Sequence, residues 1–244
     1  MANLRFFTNS ALAVNTTLQL SESAAAHATR ALRLEVGDSA IVFNGDGFDY
    51  ECTLTAIKKN NVVVTIHHAI PVNNESPLNI TLLQAISSGD RMDFTIQKAV
   101  ELGVKNIQPI SSQRSVVKLS AERAEKRTEH WQNIAAAACE QSGRAFIPKI
   151  SPPISLENWL SRNPNHDATR ILLNPIGAKR LSEFAKPASE IQLLIGAEGG
   201  LSTEEIELAT SHDFQSIVLG PRILRTETAA LTAISAMQLL WGDF

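Results

Sequence analysis

The stretch Leu193-Leu-Ile-Gly-Ala-Glu-Gly-Gly-Leu-Ser202 predicts a buried strand, a glycine-rich loop and the start of a helix. Glycines allow left-handed backbone and let main-chain amides approach a ligand closely. Ser202 and Glu205 have the spacing of a capping box, which marks a helix N-terminus. Ligands of α/β proteins bind beyond the C-terminal ends of parallel strands, so this loop is a candidate binding site. A tight turn without a ligand is the alternative.

A second stretch, Leu219-Gly-Pro-Arg-Ile-Leu-Arg-Thr-Glu-Thr-Ala229, also leaves an apolar run and enters a helix. Its arginines could reach an anionic ligand. Alternatively, Arg225 and Glu227 form a surface ion pair beside a Thr226 cap. Two such loops at neighbouring strand ends favour a ligand site. The glycine spacing does not match Gly-x-Gly-x-x-Gly, and no Gly-Lys-Ser/Thr is present, which disfavours dinucleotide folds and P-loop NTPases.

Apolar runs alternate with helical patterns from residue 78 onward. An apolar strand is expected at Asn79–Ala85, and the runs at Thr169–Leu173, Ile191–Ile195 and Ile217–Leu219 are continuous, which is typical of parallel strands buried on both faces. The fold class is therefore α/β with a mostly parallel sheet. A terminal helix is expected at Thr226–Trp241, with one apolar stripe made by Ala230, Ala233, Ile234, Met237 and Trp241.

The first 72 residues follow a different pattern. A helix is expected at Ser21–Leu34, and short β-rich runs separated by turn signals suggest a small barrel. Residues 71–77 hold two prolines and show no periodicity. We therefore expect an N-terminal domain at 1–72, a linker at 73–77 and an α/β domain at 78–244.

Composition restricts the functional classes. The 244 residues carry a net charge of −3 and two cysteines, which excludes a disulfide framework and a four-cysteine zinc site. No metal cluster, secretory signal or stretch of ~20 apolar residues is evident, so a cytoplasmic chain without a membrane span is expected. Residues 105–149 hold eight Lys/Arg and four Asp/Glu, which could be a solvated helix face or a phosphate-binding surface.

Several segments together resemble the bacterial 16S ribosomal RNA uridine-N3 methyltransferases, which belong to the SPOUT class. The resemblance covers nearly the whole chain, and its most specific parts are the two loops quoted above. Ala197 stands where that family usually has proline. The other segments that carry it are Arg5-Phe6, residues 27–33 with Gly37-Asp38, residues 94–104 and residues 137–144.

The resemblance implies an N-terminal PUA-like RNA-binding β-barrel, a SPOUT domain with a C-terminal trefoil knot, and a homodimer. It implies S-adenosylmethionine as the methyl donor, with no metal. It places the cofactor against three loops, with cofactor-binding residues Leu172, Leu173, Asn174, Ile195, Gly196, Glu198, Gly199, Leu219, Gly220, Ile223, Leu224, Arg225, Thr226, Thr228 and Ala229.

The implied reaction is methylation of uridine N3 in the decoding region of 16S rRNA within the small ribosomal subunit. Uridine N3 becomes a good nucleophile only after its imide proton leaves. Arg225 is the expected stabiliser of the negative charge, and Glu227 or Glu198 the expected base. Either glutamate could instead accept hydrogen bonds from loop amides.

RNA contacts are expected from basic residues of both domains, namely Arg5, Arg30, Arg33, Arg114, Lys118, Arg144 and Arg222. Each could equally be an ordinary solvated side chain. Three other functions stay open: a SPOUT ribose 2′-O-methyltransferase acting on rRNA or tRNA, a non-catalytic RNA-binding assembly factor, and a nucleotide-binding α/β enzyme of another kind.

Overall fold

The computed structural model describes residues 4–58, 61–115, 120–164, 167–174, 176 and 178–244. The chain forms two compact units. The first contains residues 1–75 together with Cys139–Ile147, and the second contains Ser76–Ala138 and Pro148–Phe244. Residues 139–147, which the sequence analysis places in the α/β domain, therefore belong with the N-terminal unit.

The first unit is built on a five-stranded sheet. Strands β1 (Arg5–Phe7), β2 (Thr17–Gln19), β3 (Ser39–Phe43), β4 (Phe48–Lys58) and β5 (Asn61–Pro71) lie in the order β1-β3-β4-β5-β2. β1 runs parallel to β3, and the remaining pairs are antiparallel. Alternate residues of β4 and β5 are buried and pack with a short helix against one core.

That short helix is less regular than the sequence predicts. α1 spans Glu22–Ala26, and the Ser21 hydroxyl caps it by accepting the Ala24 N–H. The chain continues as a π-helical turn at His27–Ala31, and Arg33 then takes a left-handed φ of 55°. The predicted single helix at Ser21–Leu34 is therefore wrong in its second half.

Arg5 is a buried structural residue of the first unit. It is 8% exposed, and its guanidinium lies 4.3 Å from the centre of the Phe43 ring. It donates to Asp49 Oδ1 at 2.6 Å. It also donates to the carbonyls of Cys139 at 2.6 Å and Arg144 at 3.2 Å. These bonds join β1 to residues 139–144, which explains why that segment belongs to this unit.

The second unit contains a parallel sheet whose described strands are β6 (Ile80–Ala85), β7 (Asn106–Ser111), β8 (Lys149–Ile150), β9 (Ile154–Ser155), β10 (Thr169–Leu173), β11 (Lys179–Arg180), β12 (Ile191–Ile195) and β13 (Gln215–Val218). Their order is β11-β13-β10-β12-β6-β7-β8, and β9 pairs with β7. Each pair among these described strands is parallel. The predicted α/β class with a mostly parallel sheet is confirmed.

The helices connect these strands. Their bounds are α2 (Asp90–Glu101), α3 (Ala121–Ser142), α4 (Leu156–Arg162), α5 (Thr203–Ser211) and α6 (Thr226–Trp241). The predicted apolar stripe of α6 is buried within the chain, so the structure assigns it a core role. Gln238 is buried beside it, where its side chain donates to the Leu102 carbonyl at 2.7 Å and accepts from Ser76 Oγ at 2.8 Å.

Two further expectations concern the whole chain. In the described ranges, no helix is both long and apolar enough to cross a membrane. The trefoil knot stays a prediction.

Both cysteines are buried, and burial raises the pKa of the Cys52 and Cys139 thiols to about 12.

Candidate active site

A cavity of about 580 Å³ lies at one edge of the parallel sheet in the second unit. β13, β10 and β12 are neighbours in the sheet, so their C-terminal ends meet there. The segments after these strands form the wall, from Leu173 to Asn174, from Ile195 to Leu201 and from Ile217 to Ala229. The two loops that the sequence singles out are thus brought together. The volume is in the usual range for small-molecule sites.

The glycine-rich loop, residues 196–202, is tightly folded. The Gly200 N–H donates to the Ala197 carbonyl at 2.9 Å, and Gly200 has a left-handed φ of 70°. A Cβ on Gly196 would lie 2.8 Å from the Gly200 carbonyl carbon, which leaves no room for a side chain. Glycine is therefore required at position 196 by close backbone packing.

Side chains from other elements hold this loop in place. Thr226 Oγ1, at the start of α6, donates to the Gly196 carbonyl at 2.6 Å and accepts from Gln84 Nε2 at 2.9 Å. At the far end the predicted capping box is present: Ser202 Oγ accepts the Glu205 N–H, and Glu205 accepts the Ser202 N–H. The other Glu205 oxygen accepts the Gln113 N–H at 2.9 Å. The loop is thus fixed from three sides.

Glu198 is held by residues at the start of α2. Its Oε1 accepts the Ser88 N–H at 2.9 Å, Ser88 Oγ at 2.8 Å and Arg91 Nη1 at 2.8 Å. Burial raises the pKa of this carboxyl, but the bonds from Ser88 and Arg91 outweigh burial and lower the pKa to about 2. A carboxylate so weakly basic is a poor proton acceptor near neutral pH. These contacts argue against Glu198 as the base and favour a positioning role.

The loop at residues 219–225 has few such supports. In the described part of the chain, none of its side chains makes a hydrogen bond to protein, and Ile223 is 99% exposed. Arg225 is exposed, borders the cavity and forms no ion pair with Glu227 within those residues. The alternative of a surface ion pair is therefore wrong. Glu227 Oε2 is buried without a hydrogen-bond partner among the described residues.

Most of the predicted cofactor-binding residues border the cavity. Leu172 is instead fully buried within β10, Gly199 packs against Arg114, and Thr228 is exposed on α6. Pro175 and Gly177, which follow Asn174, lie outside the described residues. The predicted residues that line the cavity are Leu173, Asn174, Ile195, Gly196, Glu198, Leu219, Gly220, Ile223, Leu224, Arg225, Thr226 and Ala229.

The predicted RNA-binding residues fall into different groups. The structure contradicts the assignment for Arg5 and Arg144, because their guanidinium groups are buried. Arg144 is 4% exposed and donates twice to the Glu75 carboxylate, at 2.9 and 2.6 Å. Arg30 and Arg33 are exposed.

The remaining RNA-binding predictions concern the second unit. Arg114 is exposed, and its Nη1 donates to the Gly199 carbonyl at 3.1 Å. Arg222 is exposed and lines the cavity. Lys118 lies outside the described residues. Of the predicted arginines of this unit, Arg222 and Arg225 therefore border the cavity and Arg114 contacts the glycine-rich loop.

Arg91 also lines the cavity, although it is not among the site residues predicted from the sequence. It follows β6, the strand next to β12, so its position is at the same sheet edge as the two loops. The sequence signal was a break between Ala85 and Asp90 at the end of an apolar run. No cluster of three or more His, Cys, Asp or Glu suited to a metal ion occurs among the residues that the structure describes.

Comparisons with known proteins agree with this arrangement. The model of an RNA methyltransferase domain matches residues 74–238, and the model of an RNA methyltransferase PUA domain matches residues 20–66. The chain is 35% identical over 240 residues to ribosomal RNA small subunit methyltransferase E of Buchnera aphidicola, covering 98% of this chain and 94% of that protein. The Bacillus subtilis enzyme of the same name is 34% identical, with 89% of each chain covered.

Solved structures give the same result. The structure of ribosomal RNA small subunit methyltransferase E from Neisseria gonorrhoeae, bound to S-adenosyl methionine, is 43% identical. It covers 99% of both chains with a TM-score of 0.94. A methyltransferase of Legionella pneumophila, in complex with the same cofactor, is 38% identical with a TM-score of 0.95 and covers 100% of both chains. The resemblance found in the sequence is confirmed, and the chain belongs to the RNA methyltransferase family that includes ribosomal RNA small subunit methyltransferase E.

Proposed function

We propose that the chain transfers a methyl group from S-adenosylmethionine to N3 of a uridine in the decoding region of 16S rRNA. The observation that carries the proposal is the cavity itself. Its wall is made by the two loops that the sequence analysis associated with the cofactor. Relatives that match nearly the full chain are small-subunit rRNA methyltransferases, and two similar structures hold the cofactor.

The residues of the cavity suit the proposed cofactor. Apolar side chains such as Leu219 and Leu224 can cover an adenine ring, and the close turn at Gly196 brings main-chain groups to the wall. Glu227 Oε2, buried and without a partner among the described residues, can accept a hydrogen bond in the cavity. When bound, S-adenosylmethionine supplies an electrophilic methyl group.

We assign the proton transfer to Glu227 rather than Glu198. Glu227 lines the cavity and has one oxygen without a hydrogen-bond partner among the described residues. The contacts of Glu198 with Ser88 and Arg91 instead lower its pKa, which makes it too weak a base to take the proton. Arg225 borders the same cavity and stabilises negative charge that spreads onto the uracil oxygens as the imide proton leaves. Both side chains follow β13, so one segment provides the acid–base group and the electrostatic one.

Target RNA is expected to bind through shape and phosphate contacts. Arg30 and Arg33 of the first unit are exposed, as are Arg114 and Arg222 of the second, and we propose these four as RNA contacts. The uridine of a structured RNA must leave its stack to reach a cavity, so local base extrusion is part of the proposal. The reaction is expected in the cytoplasm.

A homodimer is also part of the proposal. The C-terminal end of the chain exposes Leu239, Leu240 and Phe244, which are 70%, 46% and 62% exposed. Apolar side chains grouped in this way are typical of an interface. Light scattering after gel filtration is expected to give twice the chain mass of 26.5 kDa. The mass of a single chain would contradict the proposed homodimer.

The deciding experiment is methyl transfer to small ribosomal subunits that lack the modification, followed by primer extension. Methylation at N3 removes a Watson–Crick donor, so a strong new stop at one decoding-region uridine is expected. Incorporated methyl without a stop would indicate the ribose 2′-O-methyltransferase. Cofactor binding without any transfer would indicate an assembly factor, and no cofactor binding would indicate an α/β enzyme of another kind.

A further inference from the structure

We propose that Arg91 binds a phosphate of the RNA substrate at the mouth of the cavity, and that Glu198 serves to orient it. This inference rests on the proposed function and deepens it. It adds a substrate contact from α2, an element outside the three cofactor loops.

The guanidinium of Arg91 is fixed along one edge only. Its Nη1 donates to Glu198 Oε1 at 2.8 Å and lies 3.4 Å from Ser88 Oγ. Among the described residues, Nη2 and Nε have no hydrogen-bond partner. A guanidinium carries five N–H donors, so a second edge is left for a ligand. Because that edge is planar, it suits two parallel bonds to phosphate oxygens.

Glu198 limits the mobility of this cation. The carboxylate is bound by the Ser88 N–H and hydroxyl as well as by Arg91, and these bonds keep it ionised. A flexible arginine loses side-chain entropy when it binds a phosphate, whereas an anchored one has lost part of it already. Ser88 and Glu198 thus hold the Arg91 guanidinium in position for an anion and leave its Nε and Nη2 edge open.

The location favours the RNA over the cofactor as the source of the anion. The Arg91 side chain is 43% exposed, so it is accessible to a large substrate at the mouth of the cavity. Arg222 and Arg225 also line this cavity and are exposed, which gives it three arginines against Glu198 and Glu227. A net positive mouth attracts a polyanion at long range. The carboxylate of the cofactor is the other anion that the free edge of Arg91 could bind.

The first test compares the salt dependence of RNA binding in wild type and Arg91→Ala. Each phosphate contact adds about 0.7–0.9 to the slope of log K against log salt concentration. The slope is expected to fall by about that amount in Arg91→Ala and to be restored in Arg91→Lys, which keeps the charge. Arg162→Ala removes an exposed arginine of α4 that does not line the cavity, and its slope should equal that of wild type.

The second test separates phosphate binding from a merely structural role. If Arg91 acts only by holding Glu198, then Arg91→Ala will have no further effect in a Glu198→Gln background. We expect the loss of slope to persist there. Calorimetry should give unchanged S-adenosylmethionine affinity for Arg91→Ala. Tenfold weaker cofactor binding with an unchanged RNA slope would assign Arg91 to the cofactor carboxylate and overturn the proposal.

The RNA-binding measurement needs no methyl transfer, so it is independent of the catalytic part of the proposed function. A wild-type protein that binds ribosomal RNA but transfers no methyl would contradict the proposed reaction and leave the Arg91 inference standing. An unchanged slope in Arg91→Ala, in a wild type that is active, would contradict only the Arg91 inference.

Discussion

The two loops that line the cavity are stabilised in different ways. The glycine-rich loop at residues 196–202 is bonded to Thr226, to the start of α2 and to the loop that carries Gln113 and Arg114. The loop at residues 219–225 has no side-chain hydrogen bond to protein in the described ranges, and its Ile223 is almost fully exposed. One wall of the cavity is thus preorganised, while the other retains free side chains for ligands.

This difference gives the two loops different sensitivities to substitution. A change in the glycine-rich loop disturbs several elements at once, so it should reduce both stability and ligand affinity. Removing a side chain from the loop at 219–225 takes away contacts that exist only with a ligand, so it should reduce activity and leave stability unchanged.

Gly196→Ala has the largest expected effect on binding and stability taken together. The new Cβ would lie 2.8 Å from one backbone carbon and 2.9 Å from another, both of Gly200, and backbone atoms cannot rotate away. We expect about 100-fold weaker cofactor binding by calorimetry and a loss of about 1–3 kcal/mol in unfolding free energy. Gly220→Ala is the matched control in the loop at residues 219–225.

At Gly220 a Cβ would meet nothing within 4 Å, although φ is +98°. The unfolding free energy should therefore fall only by the backbone strain, about 1–2 kcal/mol. Equal or greater damage to cofactor binding by Gly220→Ala would contradict the distinction between a preorganised and an adaptable wall.

Arg225→Ala should reduce turnover without destabilising the protein. Loss of one electrostatic stabiliser typically lowers kcat by 10²–10³-fold, whereas an exposed side chain contributes within ~0.5 kcal/mol to stability. The measurement is single-turnover methyl transfer with saturating RNA, beside thermal unfolding. Turnover equal to wild type would contradict the role of Arg225 in stabilising charge on the uracil oxygens. A large drop in melting temperature would show that Arg225 has a structural role.

Glu198→Gln tests the anchoring of the glycine-rich loop through pH. The folded pKa is lowered from 4.5 to about 2, so the ionised carboxylate adds stability above its unfolded pKa, and that contribution is lost as pH falls. Wild type should exceed the variant in stability by a constant amount above about pH 5. The difference should decline as the pH falls and vanish only below about pH 2.

Acid unfolding curves followed by circular dichroism give this comparison directly. Glu207→Gln alters an exposed glutamate of α5 and serves as the control, with a curve that should match wild type. A wild-type advantage that grows toward acid pH would have the wrong sign for this mechanism.

The smallest expected effect is that of Ser202→Ala, which removes half of the capping box at the start of α5. A lost cap of this kind costs about 1 kcal/mol. Urea unfolding should detect it, with Thr203→Ala, an exposed neighbour, as the reference. If both variants lose the same stability, the cap contributes nothing specific to this loop.

The backbone course near the cavity could be predicted because local sequence determines it. The capping box at Ser202, the glycines at 196 and 200 and the apolar stripe of α6 each depend on neighbours close in the chain. Strand ends of a parallel sheet then meet at one edge by topology. The sequence alone therefore predicts that the two loops lie close together, and the family resemblance identifies S-adenosylmethionine as the expected ligand.

Side-chain partners distant in sequence could not be predicted in this way. Arg5 and Arg144 looked like RNA contacts because the residue type is typical of phosphate binding, but their partners are up to 139 residues away. Arg91 was missed for the same reason, since its partner Glu198 is 107 residues further along the chain. Burial and pairing of a charged side chain depend on tertiary structure, which one sequence does not show.

The bond from Arg5 to the Cys139 carbonyl also has a consequence for synthesis. The two residues are 134 positions apart. Chains grow at about 5–20 residues per second, so this interval corresponds to about 7–27 seconds on the ribosome. During that time the Arg5 cation has no carbonyl partner from residues 139–144. The first strand to be translated therefore reaches its final surroundings only after residues 139–144 have been made.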